Sequence, residues 1–225
     1  MRYYPMFVNL AGKTCLVVGA GQVGLRKIAS LADCGAGRVV VIELGEPGAQ
    51  LLELAARPEV CLLRRAFVPA DLDGVFLAVA ATSDAALNRR VADLCRERGV
   101  LCNVADAPEE GSFIVPSCVT RGELTLAVST GGASPALTKR IRKDLQDRFG
   151  EEYAQLLRIM SRLRPEVLAL GLGTGENTVL FRALAGSRLL AAFRRGDMAL
   201  AETELRAILP PQLHHLIPEL LDGHP

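Results

Sequence analysis

Short, continuously apolar runs alternate with stretches of helical spacing through the first hundred residues. Thr14 to Gly21, TCLVVGAG, is an apolar run that ends in glycines. The following QVGLRKIASLADCG sets Val23, Ile28, Leu31 and Ala32 at helical spacing, with Gly35 as a stop signal. RVVVIE (Arg38 to Glu43) reads as a second strand, EPGAQLLELAARP as a short helix and EVCLLRRAF as a third strand. GVFLAVAAT (Gly74 to Thr82) makes a fourth strand. SDAALNRRVADLCRERG is a helix with Asp84 near its start and Gly99 at its end, and VLCNV (Val100 to Val104) makes a fifth strand. Strands without polar alternation are buried on both faces, and their alternation with helices marks βαβ units. The pattern predicts an α/β, Rossmann-like, doubly wound parallel sheet over residues 1–110.

The pattern changes after Asp106. SFIVPSCV and GELTLAVST read as antiparallel strands outside the parallel series, because Leu124, Leu126 and Val128 alternate with Thr125, Ala127 and Ser129. Pro116 favours an edge or bulge position in its strand. Leu137, Ile141, Leu145 and Phe149 then repeat every four residues and predict one buried helical stripe. Further helices are expected over 151–164, 176–186, 188–195, 197–208 and 211–222, broken by Gly and Pro.

Composition narrows the function classes. A formal net charge of +1 over 225 residues argues against a general nucleic-acid binder, and the absence of Trp argues against base-stacking platforms. No uncharged apolar stretch approaches the roughly 18 residues of a membrane helix, and the first residues contain no secretory apolar region. A soluble, cytoplasmic protein is expected. The six cysteines, Cys15, Cys34, Cys61, Cys95, Cys102 and Cys118, form no C-x-x-C pair or zinc-like cluster and read as small buried hydrophobes in a reducing compartment.

GAGQVG, Gly19 to Gly24, fits G-x-G-x-x-G between the first strand and the first helix. Such glycines allow a tight turn, close backbone approach to a pyrophosphate and close helix–strand packing. The helix N-terminus then offers N–H groups to the phosphates. Glu43 ends the second strand about 20 residues on, where an acid accepts from a ribose 2′-OH and repels a 2′-phosphate. NAD is therefore expected rather than NADP. Gly19, Gly21, Gln22, Val23, Gly24, Glu43, Leu44 and Thr82 are the candidate cofactor residues, while a solvated strand end is the plain alternative for Glu43.

Four stretches resemble, in order and spacing, the precorrin-2 dehydrogenase and sirohydrochlorin ferrochelatase family, the N-terminal module of siroheme synthase. They are PMFVNLAGKTCLVVGAGQVGLRK, AVAATSDAALNRRVADLC, CNVADAPEEGSFIVPS and LTLAVSTGGASPALTKRIRKDL. Ala20 and Gly24 stand where relatives often carry Gly and Ala. No methyltransferase module follows, so the stand-alone form is expected. The resemblance implies NAD-dependent oxidation of precorrin-2 to sirohydrochlorin in siroheme biosynthesis, in many members followed by Fe²⁺ insertion. It also implies a homodimer with a Rossmann domain (1–110), a dimerisation region (111–149) and a helical region (150–225). It places the catalytic role on the aspartate of N-V-x-D-A-P, here Asp106.

The residue chemistry is compatible with that role. In open α/β sheets ligands bind beyond the carboxyl ends of the strands, where Asp106 lies. A carboxylate in a partly desolvated pocket suits a general base, although Asp followed two residues later by Pro108 is also turn chemistry. The substrate that the resemblance implies is a polycarboxylate, so Asn103, Ser112, Ser134, Lys139 and Arg140 are candidate contacts. Ser134 and Pro135 begin a helix whose N-terminus is available to an anion, and Lys139, Arg140, Arg142 and Lys143 fall opposite its apolar stripe. Simple capping and a solvated basic face are the alternatives. The three histidines, His214, His215 and His224, read as solvated or packing residues, and no residue is assigned as a metal ligand. Two further readings are open: an unrelated small-molecule dehydrogenase, for which no Tyr-x-x-x-Lys pair exists, and an NAD-sensing regulatory module without catalysis.

Overall fold

A computed structural model describes residues 3–222. Within them the chain divides between Val115 and Pro116 into two compact units.

The first unit is built on a five-stranded parallel sheet. Strands β1 (Thr14–Val18), β2 (Arg38–Glu43), β3 (Val60–Arg64), β4 (Leu77–Ala80) and β5 (Leu101–Val104) lie in the order β3-β2-β1-β4-β5. Helices α1 (Gln22–Asp33) and α2 (Ala49–Ala55) cover one face, and α3 (Ala85–Arg98) covers the other. The alternate side chains of β1 explain this sandwich. Cys15 and Val17 join Ile28, Ala32 and Leu51 in one core, while Leu16 and Val18 join Val91, Ala92 and Cys95 in the other. Burial on both faces is why these strands carry no polar alternation. Asp84 caps α3 by accepting from the Ala86 and Leu87 N–H groups, and Gly99 ends it in the left-handed region.

After β1 the chain crosses to β2 on one side, and β4 later returns to the other side of β1. This is the topological switch point at which such sheets bind ligands. The register aligns Val18 with Ile42 and Ala80, and Ala80 with Val104. Gly19, Glu43, Ala81 and Ala105 therefore emerge side by side at the carboxyl edge. The predicted strand at Ser112–Pro116 does not form. Instead Ser112 and Phe113 donate their N–H groups to the Cys102 carbonyl, and strand β6 starts only at Ser117.

The second unit begins with an antiparallel hairpin, β6 (Ser117–Arg121) and β7 (Leu124–Val128), against which α4 (Pro135–Arg148) packs. The α4 stripe is less buried than its periodicity suggests. Leu137 is 48 % exposed, and no residue of the helix is fully buried. The hairpin is too small a partner to cover four turns. Helices α5 (Glu152–Ala169), α6 (Thr174–Gly186), α7 (Leu189–Arg195), α8 (Met198–Ile208) and α9 (Ile217–Asp222) form a bundle around Ile159, Leu163, Leu184, Leu205 and Ile217. Helix α5 continues through Pro165, beyond its expected end at 164. The proline removes one N–H, yet Leu163 and Val167 are both fully buried, and that packing outweighs the lost bond. Residues 211–216, expected to be α-helical, form a 3₁₀ turn ahead of α9.

Three of the six cysteines are buried as expected, whereas Cys34 and Cys118 are exposed and Cys61 is half-buried. No helix among the described residues is long and apolar enough to cross a membrane.

Candidate cofactor and active site

The three fingerprint glycines have different jobs. Gly19 adopts φ +93°, and a Cβ there would lie 2.7 Å from the Ala81 carbonyl oxygen. A Cβ on Gly24 would lie 2.0 Å from the Gly19 carbonyl oxygen, so this glycine lets α1 approach the loop. Gly21 is the N-cap of α1 in an extended conformation, and a Cβ there would meet nothing within 4 Å. The protein itself makes no demand for glycine at that position. Open space over Gly21, at the start of a twelve-residue helix, is what a pyrophosphate needs.

Glu43 reaches from the end of β2 to this loop. Its carboxylate accepts from the Ala20 N–H at 2.6 Å and the Gly45 N–H at 2.8 Å. Partial burial pushes its pKa upward, but bonds from the Gly45, Ala20 and Leu44 N–H groups outweigh burial and hold it below the usual carboxylate value. The group is thus an anion fixed beside the glycine turn. Gln22, Val23 and Leu44 are exposed around the same edge, and Leu44 is 71 % exposed.

Thr82 follows β4, and Asp106 follows β5. One buried side chain that sequence reading passed over, Asn88 of α3, joins them. Asn88 accepts from the Thr82 N–H at 3.1 Å and the Thr82 hydroxyl at 2.7 Å, and it donates to the Thr82 carbonyl at 3.1 Å. Its amide also donates to Asp106 Oδ1 at 3.1 Å. With 1 % exposure, its polar atoms have to be paired within the protein. The signal was present in the sequence, because Asn88 precedes Val91, Ala92 and Cys95 by three, four and seven residues. It is therefore a polar residue in an apolar stripe.

Asp106 itself is exposed. The expectation of a partly desolvated carboxylate does not hold for this chain alone. Asn103 and Ser112 serve the adjoining loop. The Asn103 amide donates to the Phe113 carbonyl at 3.1 Å, and the Ser112 hydroxyl accepts from the Cys102 N–H at 2.9 Å. Gly111 permits that close approach, since a Cβ would fall 2.8 Å from the Cys102 carbonyl oxygen.

In the second unit Ser134 caps α4 by accepting from the Leu137 N–H at 3.2 Å. Lys139 and Arg140 are exposed on α4. His214 and His215 each bond a backbone carbonyl, of Leu209 and Gln212 respectively, both at 2.9 Å. His224 lies outside the described residues. Among the described residues there is no cluster of three or more His, Cys, Asp or Glu that could hold a metal ion.

Switch-point sheet, glycine loop and anchored acid define a dinucleotide-binding α/β protein. Comparison with known proteins agrees and goes further. Residues 6–117 match the family described as "Putative NAD(P)-binding", and residues 121–148 match "Sirohaem biosynthesis protein central". Together these segments make up more than half of the chain and set an NAD(P)-binding match ahead of a sirohaem-biosynthesis match. A siroheme synthase of Nitrosococcus oceani is 34 % identical over 93 % of this chain and 44 % of its own length. One from Pseudomonas fluorescens is 45 % identical over 76 % of this chain and 36 % of its own length. The chain thus spans less than half the length of these curated relatives. A solved structure named "SirC, precorrin-2 dehydrogenase" superposes with a TM-score of 0.76 at 28 % identity, covering 92 % of this chain and 98 % of that one.

Proposed function

We propose that this protein is a cytoplasmic, NAD-dependent precorrin-2 dehydrogenase that oxidises precorrin-2 to sirohydrochlorin, with Asp106 as proton acceptor. One observation carries the reading. In a chain that superposes on nearly all of a precorrin-2 dehydrogenase, Asp106 is anchored at a strand end on the same sheet edge as the glycine loop.

The reaction removes a hydride and a proton from the macrocycle. Bound at the glycine loop, the nicotinamide cofactor would supply the hydride acceptor. The chain's own residues do the rest. The Gly21 backbone and the α1 N-terminus receive the pyrophosphate, and Glu43 accepts from a ribose hydroxyl. Its fixed negative charge disfavours a 2′-phosphate, which supports NAD over NADP. Asn88 holds Asp106 Oδ1, which leaves Oδ2 to take the proton. Because Asp106 is exposed in the free chain, the docked macrocycle itself would supply the desolvation that strengthens this base.

Ser134, Lys139 and Arg140 are proposed partners for the substrate's carboxylates. The half-covered stripe of α4 supports a homodimer in which a second copy buries Leu137. The functional partition into residues 1–110, 111–149 and 150–225 is part of the same proposal, alongside the division of the chain between Val115 and Pro116. Insertion of Fe²⁺ into sirohydrochlorin, with the metal as substrate, would require loss of pyrrole N–H protons, for which Asp106 is again the available acceptor. Anaerobic incubation with precorrin-2 and NAD tests the main reading. Appearance of sirohydrochlorin absorbance supports it, and NAD binding without turnover would favour a regulatory module. Fe²⁺ added afterwards, with and without protein, tests the second step.

A further inference from the structure

Helix α1 turns a polar face away from its core contacts. Val23, Arg26, Lys27 and Ser30 follow one another at three-, four- and seven-residue offsets and so share one face, whereas Gly24, Ile28 and Ala32 are buried. That face forms one wall of a cavity of about 450 Å³ within the first unit. The end of β5, from Asn103 to Ala105, and the Ile114–Val115 segment also line it. The bond from Asn103 to the Phe113 carbonyl fixes the approach of that segment to β5.

The charges in this cavity are unbalanced. Lys27 is half-buried, and among the described residues neither it nor Arg26 takes part in a salt bridge. Arg26 makes one long hydrogen bond, to the Gln22 carbonyl at 3.4 Å. Burial, reinforced by the neighbouring guanidinium, holds the Lys27 ammonium below the ordinary lysine pKa. A free protein gains nothing from two adjacent unpaired cations on a cavity wall, whereas an anion entering the cavity relieves both.

We propose that Arg26 and Lys27 form a carboxylate-binding subsite that holds one acidic side chain of the tetrapyrrole substrate. This rests on the function proposed above. Two observations favour substrate over cofactor. Lys27 lies six residues beyond Gly21, about 9 Å further along the helix axis, so it is well separated from the pyrophosphate position. The cavity also borders Ala105, which directly precedes Asp106. Its volume falls in the range of small-molecule sites, roughly 300–1,000 Å³.

Steady-state kinetics with precorrin-2 and NAD, under anaerobic conditions, test this in Lys27→Met, Lys27→Arg and Arg26→Ala. Lys27→Met is expected to raise the KM for precorrin-2 about tenfold, equivalent to ~1.4 kcal/mol. The dissociation constant for NAD, measured by calorimetry, should not change, and Lys27→Arg should restore most of the lost affinity. Arg26→Ala, a change at an exposed position, should raise the same KM severalfold. A precorrin-2 KM equal to wild type in both charge-removing variants would overturn the subsite while leaving the dehydrogenase reading intact. Weakened NAD binding in Lys27→Met would overturn it in favour of a cofactor contact. An unchanged KM with a shift in oligomeric state would overturn it in favour of a subunit contact. Absence of wild-type turnover would overturn the function, and the subsite with it.

Discussion

Gly21 and Gly24 stand three residues apart in one motif, yet replacing each by alanine should fail in opposite ways. At Gly21 the backbone is extended, with φ −65°, and the added methyl meets no protein atom within 4 Å. The cost to the fold is the poorer N-cap quality of alanine, at most about 1 kcal/mol, or a melting shift of roughly 2–4 °C. The methyl does, however, occupy the space that the pyrophosphate needs, and NAD affinity should fall at least about 100-fold, ~2.7 kcal/mol. At Gly24 the methyl would sit 2.0 Å from the Gly19 carbonyl oxygen, a backbone atom that moves only if the loop moves. Relief requires a shift of about 1 Å, and overpacking of this kind costs about 3 kcal/mol. Gly24→Ala should therefore melt roughly 6–12 °C lower. Calorimetric NAD titration and thermal melting of the two variants separate the effects. Normal NAD affinity in Gly21→Ala would refute the placement of the phosphates. Wild-type melting of Gly24→Ala would refute the packing argument.

The other predictions concern the anchoring groups. Glu43 has a depressed pKa in the folded chain, so its stabilisation is fully present above the unfolded value near 4.5 and is lost as pH falls through the folded value. Glu43→Gln should flatten the acid limb of a pH-dependent stability curve below about pH 4.5 and narrow the preference for NAD over NADP; an unchanged acid limb would contradict the carboxylate's role. Asn88→Leu leaves the Thr82 N–H and carbonyl without their partner and should destabilise the protein by about 2–3 kcal/mol in urea titration. A loss under 0.5 kcal/mol would show that the network is dispensable. In the second unit Glu152 is 7 % exposed and paired with Arg194. Arg194→Met should lower the melting temperature by stranding that carboxylate, and Glu152→Gln in the same background should recover part of the loss.

The parallel sheet was legible because burial on both faces erases polar alternation, so RVVVIE and GVFLAVAAT announced themselves. The glycine loop was legible because two of its glycines, Gly19 and Gly24, answer a steric demand within the protein. Three features were not. The Ser112–Pro116 run is apolar enough for a strand, but Gly111 brings its backbone against β5 and diverts it into a loop. Pro165 reads as a helix end, and only the tertiary burial of Leu163 and Val167 carries α5 past it. Asp106 is followed by Ala107 and Pro108 in a pattern typical of a turn. Its tie to Asn88, eighteen residues earlier, depends on the packing of α3 against β5. Local sequence cannot report such long-range contacts, although a polar residue in the buried stripe of α3 hinted that something required it.

The most direct measurement compares wild type with Asp106→Ala for conversion of precorrin-2 to sirohydrochlorin with NAD under anaerobic conditions. The account predicts turnover in wild type, a loss of roughly 10²–10⁴-fold in kcat for the variant, and NAD affinity that does not change. Equal turnover by the two proteins would remove the proton acceptor on which the proposed chemistry depends.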